Sequence, residues 1–121
     1  MKTKTILLAH GSSDPQWSNT FVELTRISLN KHVDACLAFM ELSTPSIEDA
    51  VKQAKDEGYE KVVVLPLFLA KGRHLKKDVP AMLDEYKANY QIETELMAPI
   101  GEHPLLGEAL SQIIDDLLIQ G

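Results

Sequence analysis

The sequence predicts a single α/β domain: a four-stranded parallel sheet of order 2-1-3-4, in three layers with helices on its faces. Three observations carry this. Short apolar runs recur along the chain, each is followed by a stretch with helical periodicity, and each strand–helix unit is roughly 30 residues long, as a βα repeat requires. Right-handed crossovers then restrict the strand order. No linker, low-complexity segment or repeat interrupts the rhythm, so residues 1–121 are expected to form one domain.

Thr5–Ala9 is a continuous apolar run, the pattern of a parallel strand buried on both faces. A helix is expected from about Pro15, with Phe21, Leu24, Ile27 and Ser28 on one stripe. Ala35–Met40 is the second strand. Thr44 is read as the next N-cap, with Pro45 at the first helical position, Glu48 and Asp49 in the positive first turn and Gly58 at the end. Val62–Phe68 is the third strand, with Pro66 marking where ladder pairing ends. Leu75, Val79, Met82, Leu83 and Tyr86 form the stripe of the third helix, whose start Pro80 delays or kinks. Ile92–Met97 alternates apolar and polar, as an edge strand with one wet face does. Leu105 to Leu118 is a strongly amphipathic fourth helix opened by Pro104.

Composition bounds the function. The 121 residues are 45% hydrophobic and 25% charged, an ordinary globular balance. A net charge of -6 argues against phosphate-tracking nucleic-acid binding. One cysteine, Cys36, excludes an intrachain disulfide and a multi-cysteine zinc site. No run approaches the ~20 apolar residues of a membrane span, and the N-terminus has no cleavage-type segment. A cytoplasmic protein that binds neither nucleic acid nor membrane is expected.

Open parallel sheets bind ligands beyond the carboxyl ends of their strands. Those tips are His10–Asp14, Glu41–Thr44, Leu69–His74 and Gly101–His103. His10, Glu41 and His74 thus reach one rim at intervals of one strand–helix unit. Each also has a plainer reading: His10 as a loop hydrogen-bonder, Glu41 as a solvated strand end, His74 as an ordinary helix start. Their common rim favours function. Lys71, Arg73, Lys76 and Lys77 form the one dense basic cluster, suited to carboxylates. Histidines with a carboxylate suit cobalt, iron or nickel, and a two- or three-ligand set leaves positions open for exchange. His32 reads as a helix C-terminal residue, Cys36 as an inert core thiol, His103 as part of a helix entry, and Trp17 with Phe21 as core.

The segments Leu8-Ala9-His10-Gly11-Ser12-Ser13-Asp14-Pro15, Phe39-Met40-Glu41 and Leu65 to Pro80 closely resemble the short CbiX-type sirohydrochlorin chelatases. That resemblance covers nearly the whole chain. It implies the ferrochelatase-like fold and insertion of cobalt or ferrous iron into sirohydrochlorin, for cobalamin or sirohaem. It implies that His10 and His74 handle the metal, with Glu41 the acidic residue at the neighbouring tip. Members often carry an arginine after His-Gly-Ser, where Ser13 stands here, a departure that removes one carboxylate contact; the expected substrate contacts are Ser12, Ser13, Lys71 and Arg73. The metal enters as substrate and no prosthetic group is expected. Chelatases of this fold are commonly two facing domains, so this chain is expected to work as a homodimer. The rival expectation is a non-catalytic metal- or tetrapyrrole-binding protein of flavodoxin-like architecture. A serine hydrolase built on Ser12 or Ser13 lacks a nucleophile elbow.

Overall fold

The computed structural model describes residues 2–120, the side chains of His74 and Gln120 excepted. Four parallel strands, β1 (Thr3–Ala9), β2 (Ala35–Phe39), β3 (Lys61–Pro66) and β4 (Glu93–Leu96), pair in the order β2-β1-β3-β4. The α/β class and strand order are those expected. Ala9 pairs with Phe39 and Leu8 with Pro66, so β1 ends level with both neighbours and their tips share one rim. Pro66 is the last residue of its ladder, as its missing N–H requires. Glu93 and Glu95 of β4 face solvent, and Lys61 binds Glu95 at 2.8 Å across the strands.

The helices are α1 (Pro15–Lys31), α2 (Ile47–Asp56), α3 (Val79–Tyr90) and α4 (Pro104–Gln120). Asp14 caps α1, its carboxylate accepting from the Gln16 N–H, with Pro15 at the first helical position. The start of α2 differs from expectation. Ser46, not Thr44, is the N-cap: its hydroxyl accepts from the Asp49 N–H while the Asp49 carboxylate accepts from the Ser46 N–H. This reciprocal box satisfies two backbone donors, where Thr44 could satisfy one. Pro45 therefore precedes the helix, after a cis bond, and its carbonyl accepts from the Phe39 N–H. Gly58 ends the segment at φ 88°. Pro80 does delay α3: residues His74–Asp78 form a π-helical turn, and regular α geometry begins at Val79.

The two faces of the sheet are unequally covered. On one, α2 and α3 close a core that includes Ile6, Leu8, Val62, Val64, Val79 and Leu83. On the other, only Leu7, Ala9, Leu37 and Phe39 are buried, packed by Trp17, Phe21 and Leu29 of α1. The α1 stripe expected from periodicity is only partly used. Phe21 is half-buried, but Leu24 and Ile27 remain 66% and 69% exposed. Every described side chain of α4 except Leu106 is exposed, and the helix packs substantially only against the 3-10 turn Ile100–Glu102 before it. Val63 and Leu65 of β3, which face the uncovered side, are consequently only half-buried.

Candidate functional site

The rim is assembled by backbone bonds between strand tips. The Met40 N–H donates to Ala9 O at 2.9 Å, and the Glu41 N–H to His10 O at 3.1 Å, so the adjacent strands β1 and β2 deliver His10 and Glu41 side by side. Gly11 makes this approach possible. It sits at φ 105°, and a Cβ there would lie 1.6 Å from the Glu41 carbonyl oxygen. Only glycine tolerates both the conformation and the contact. Both the His10 and the Glu41 side chains are exposed, open to a ligand.

The imidazole of His10 lies flat on Phe68 of the next tip, with ring centroids 3.9 Å apart and planes at 12°. Phe68 is itself 6% exposed, so a core-anchored ring sets the imidazole plane. Beyond it the Gly101 N–H donates to Phe68 O at 3.1 Å. A Cβ at Gly101 would meet the Leu69 carbonyl at 1.7 Å, so the fourth tip braces the third from outside.

A serine cluster holds the loop after His10. The Ser12 N–H donates to the Ser43 hydroxyl at 3.0 Å, that hydroxyl donates back to Ser12 O at 2.7 Å, and it lies 2.9 Å from the Ser18 hydroxyl. The Ser12 hydroxyl accepts from the Asp14 N–H, which leaves its proton to donate outward. The loop from Glu41 to Ser43 is a tight turn: Ser43 N–H donates to Glu41 O at 2.7 Å around Leu42 at φ 63°. Such a turn is strained, and strain of this kind collects at binding sites. Ser12, Ser13, Ser18, Asn19, Ser43 and Thr44, with Pro15 and Leu42, line an open cavity of about 300 Å³.

On the other side of the rim, Lys71 and Lys76 line a cavity of about 310 Å³. Lys71 and Arg73 are exposed, and the Lys76 N–H donates to Gly72 O at 3.2 Å as the chain turns into the next segment. His74 opens that turn by its backbone; its side chain lies outside the described residues. Among the described residues no cluster of three metal-competent side chains occurs. Of two larger cavities, one lies beside α1 and the other runs along the fourth tip to the start of α4; neither is lined by His10, Glu41, Lys71 or Arg73.

The remaining sequence candidates fall where their plainer readings place them. His103 Nδ1 accepts from the Leu105 N–H at 3.1 Å, capping α4. His32 is the C-cap of α1. Burial pushes the Cys36 thiol up, away from the reactive thiolate. Trp17 packs on Phe21 with centroids 4.5 Å apart. Sequence reasoning missed Phe68 and Ser43. An aromatic ending an apolar run reads as core, which Phe68 also is. Ser43 carried a signal only in its place at the second tip.

Comparison with known proteins gives the chain its family and its fold relatives. The CbiX family model matches residues 4–117. A sirohydrochlorin cobaltochelatase of Sulfurisphaera tokodaii is 30% identical over 114 residues, covering 93% of this chain and 92% of that protein. The crystal structure of a CbiX protein from Marinobacter aquaeolei VT8 superposes with a TM-score of 0.94 at 43% identity, covering 98% of this chain and 99% of that one. The sirohydrochlorin chelatase SirB from Bacillus subtilis subspecies spizizenii, in complex with cobalt, superposes with a TM-score of 0.78 at 25% identity. That match covers 96% of this chain and 51% of SirB, so the chain spans about half its length.

Proposed function

The chain belongs to the CbiX family, and we propose that it is a tetrapyrrole chelatase that inserts cobalt or ferrous iron into sirohydrochlorin, on a route to cobalamin or sirohaem. The observation that carries this reading is the tie between the first two tips. An exposed imidazole and an exposed carboxylate are joined through the Glu41 N–H and His10 O, on the rim that also carries the exposed Lys71 and Arg73. Cobalt is bound by a structural relative and sirohydrochlorin is the substrate named for sequence relatives; the donor set here suits both.

Metallation replaces two pyrrolic N–H protons by one divalent cation. It needs no reductant, nucleotide or covalent intermediate, only ligands that release the metal and a group that takes a proton. His10 and His74 hold the incoming metal as neutral imidazoles. The stack on Phe68 presets the plane of His10, so the lone pair of its ligating nitrogen has a fixed direction. Glu41 accepts one pyrrole proton as general base, and the second passes to solvent at the exposed rim. Peripheral carboxylates of the macrocycle are held by Lys71 and Arg73 on one side, and by the hydroxyls of Ser12 and Ser13 on the other. No described helix is long and apolar enough to cross a membrane, and the reaction is assigned to the cytoplasm.

The test is absorbance of sirohydrochlorin mixed with cobalt or ferrous iron, with and without protein. A chelatase accelerates the spectral change of metallation over many turnovers. A shift of the free pigment's spectrum at one equivalent, with no acceleration, would make the protein a tetrapyrrole-binding module instead.

A further inference from the structure

Outside α1, the turn that follows it and α4, the described residues leave three large apolar side chains exposed: Leu42, Leu69 and Met97, at 71%, 76% and 45%. They stand within a few residues of the carboxyl ends of β2, β3 and β4 respectively, and β1 ends at His10. The strand order β2-β1-β3-β4 therefore sets Leu42, His10, Leu69 and Met97 in that order along the rim. Neighbouring strands lie about 4.8 Å apart, so the row runs about 14 Å, the breadth of a tetrapyrrole with its side chains. Apolar residues scattered singly over a surface are ordinary; a row of them along a ligand-binding rim is not.

Leu42 carries a second cost. Its φ of 63° is a left-handed conformation that leucine avoids and glycine adopts freely. The turn that imposes it is closed by the Ser43 N–H donating to Glu41 O at 2.7 Å. The fold thus holds an apolar side chain in solvent at a strained position, where glycine would relieve both costs. Leu69 is held as firmly. The Gly101 N–H donates to Phe68 O, and a Cβ at Gly101 would stand 1.7 Å from the Leu69 carbonyl oxygen. The ends of the row are polar: Leu42 borders the hydroxyl-lined cavity of Ser12, Ser13 and Ser43, and Met97 borders the cavity of Lys71 and Lys76.

We propose that Leu42, Leu69 and Met97 form an apolar shelf for one flat face of the tetrapyrrole, with Leu42 and Leu69 the specificity-determining contacts on either side of His10. The inference rests on the tetrapyrrole reading of the site and adds what holds the ring itself. A tetrapyrrole carries its acids at the periphery and presents a broad uncharged face. Hydroxyls and lysines at the two ends of the row grip the periphery and leave the face uncovered. The shelf covers it, and with one leucine on each side of His10 it brings the middle of the ring, not its edge, to the imidazole. A small polycarboxylate chelator offers the acids without the face, so the shelf distinguishes a macrocycle from other metal-binding acids.

The test is equilibrium binding of metal-free sirohydrochlorin to the full chain, read by quenching of Trp17, the single tryptophan. Leu42→Gly and Leu69→Ala should each weaken binding about tenfold, the effect of withdrawing one leucine from a covered apolar contact, and the double variant about 100-fold. Leu69→Met, still apolar, should bind as the wild type does. Leu42→Gly relieves the positive φ, so its Tm should equal or exceed that of the wild type. A lower Tm with unchanged affinity would make Leu42 a structural residue and overturn its role. The losses should be equal at low and high salt, because apolar contacts are not screened; losses confined to low salt would assign them to the charged grips and overturn the shelf. A double variant that binds pigment as tightly as the wild type also refutes the shelf, while cobalt insertion by that wild type keeps the chelatase reading. Tight wild-type binding and weak double-variant binding, with no acceleration of insertion, would keep the shelf and remove the chelatase. A wild type that binds no pigment removes both.

Discussion

Gly11→Ala tests whether the approach of the two tips organises the rim. The new methyl would stand 1.6 Å from the Glu41 carbonyl oxygen, whereas ordinary contact begins near 3.4 Å, so the tips must part by about 1.8 Å. Parting them breaks the Glu41 N–H to His10 O bond, a loss of about 1 kcal/mol. Forcing alanine to a positive φ adds about 2 kcal/mol. Together these lower the melting temperature by about 12 °C for a domain this size. Misplacing reacting groups by more than 1 Å should slow insertion about 100-fold. Gly58→Ala is the control, because Gly58 is also at positive φ, 88°, but a Cβ there meets nothing within 4 Å. By the same scale it should melt about 8 °C lower and insert metal at the wild-type rate. Calorimetry and initial rates by absorbance read both variants. A Gly11→Ala protein that matches Gly58→Ala in both would refute the claim that this contact holds the site together.

Ser43→Ala removes the hydroxyl that grips both backbone groups of Ser12, and should weaken pigment binding about tenfold, read by pigment titration, while Tm falls by only a few degrees. Arg73→Ala should raise the KM for the tetrapyrrole with kcat little changed, the signature of a contact made equally in ground and transition states; steady-state kinetics over a range of pigment concentrations checks this. The tyrosines give a pH test. Hydrogen bonds to Asp34 and Glu48 push Tyr59 and Tyr90 each up to about 12, and burial raises Tyr86. These contacts favour the neutral phenols, so their stabilisation is intact below pH 10 and is lost as pH rises through about 12. Absorbance at ~295 nm should stay nearly flat through pH 10 in the folded protein, and a rise with midpoint near 10 would contradict these contacts.

Strand order was legible because continuous apolar runs fix the strands and right-handed crossovers leave few arrangements. Order 2-1-3-4 in turn makes His10 and Glu41 neighbours, since their strands are adjacent. The start of α2 was misread because Thr44-Pro45 and the Ser46–Asp49 box are both local start signals. The box prevails by satisfying one more backbone donor. Periodicity fixes less on α1 and α4. An apolar stripe says that a helix face needs covering, but carries no information on whether the cover comes from the same chain. Leu24 and Ile27 of α1 and most of α4 lie on such stripes and stand exposed. The stack of Phe68 on His10 is a tertiary contact between two tips, and no pattern along the chain encodes it.

The central claim is that the rim centred on His10 performs the metal transfer. Its most direct test is single-turnover insertion of cobalt into sirohydrochlorin, protein in excess, followed by stopped-flow absorbance for the wild type and His10→Ala. Because the His10 side chain is exposed, the variant should fold and bind pigment as the wild type does, while its insertion rate drops at least 100-fold. A folded His10→Ala protein inserting cobalt at the wild-type rate would contradict the account.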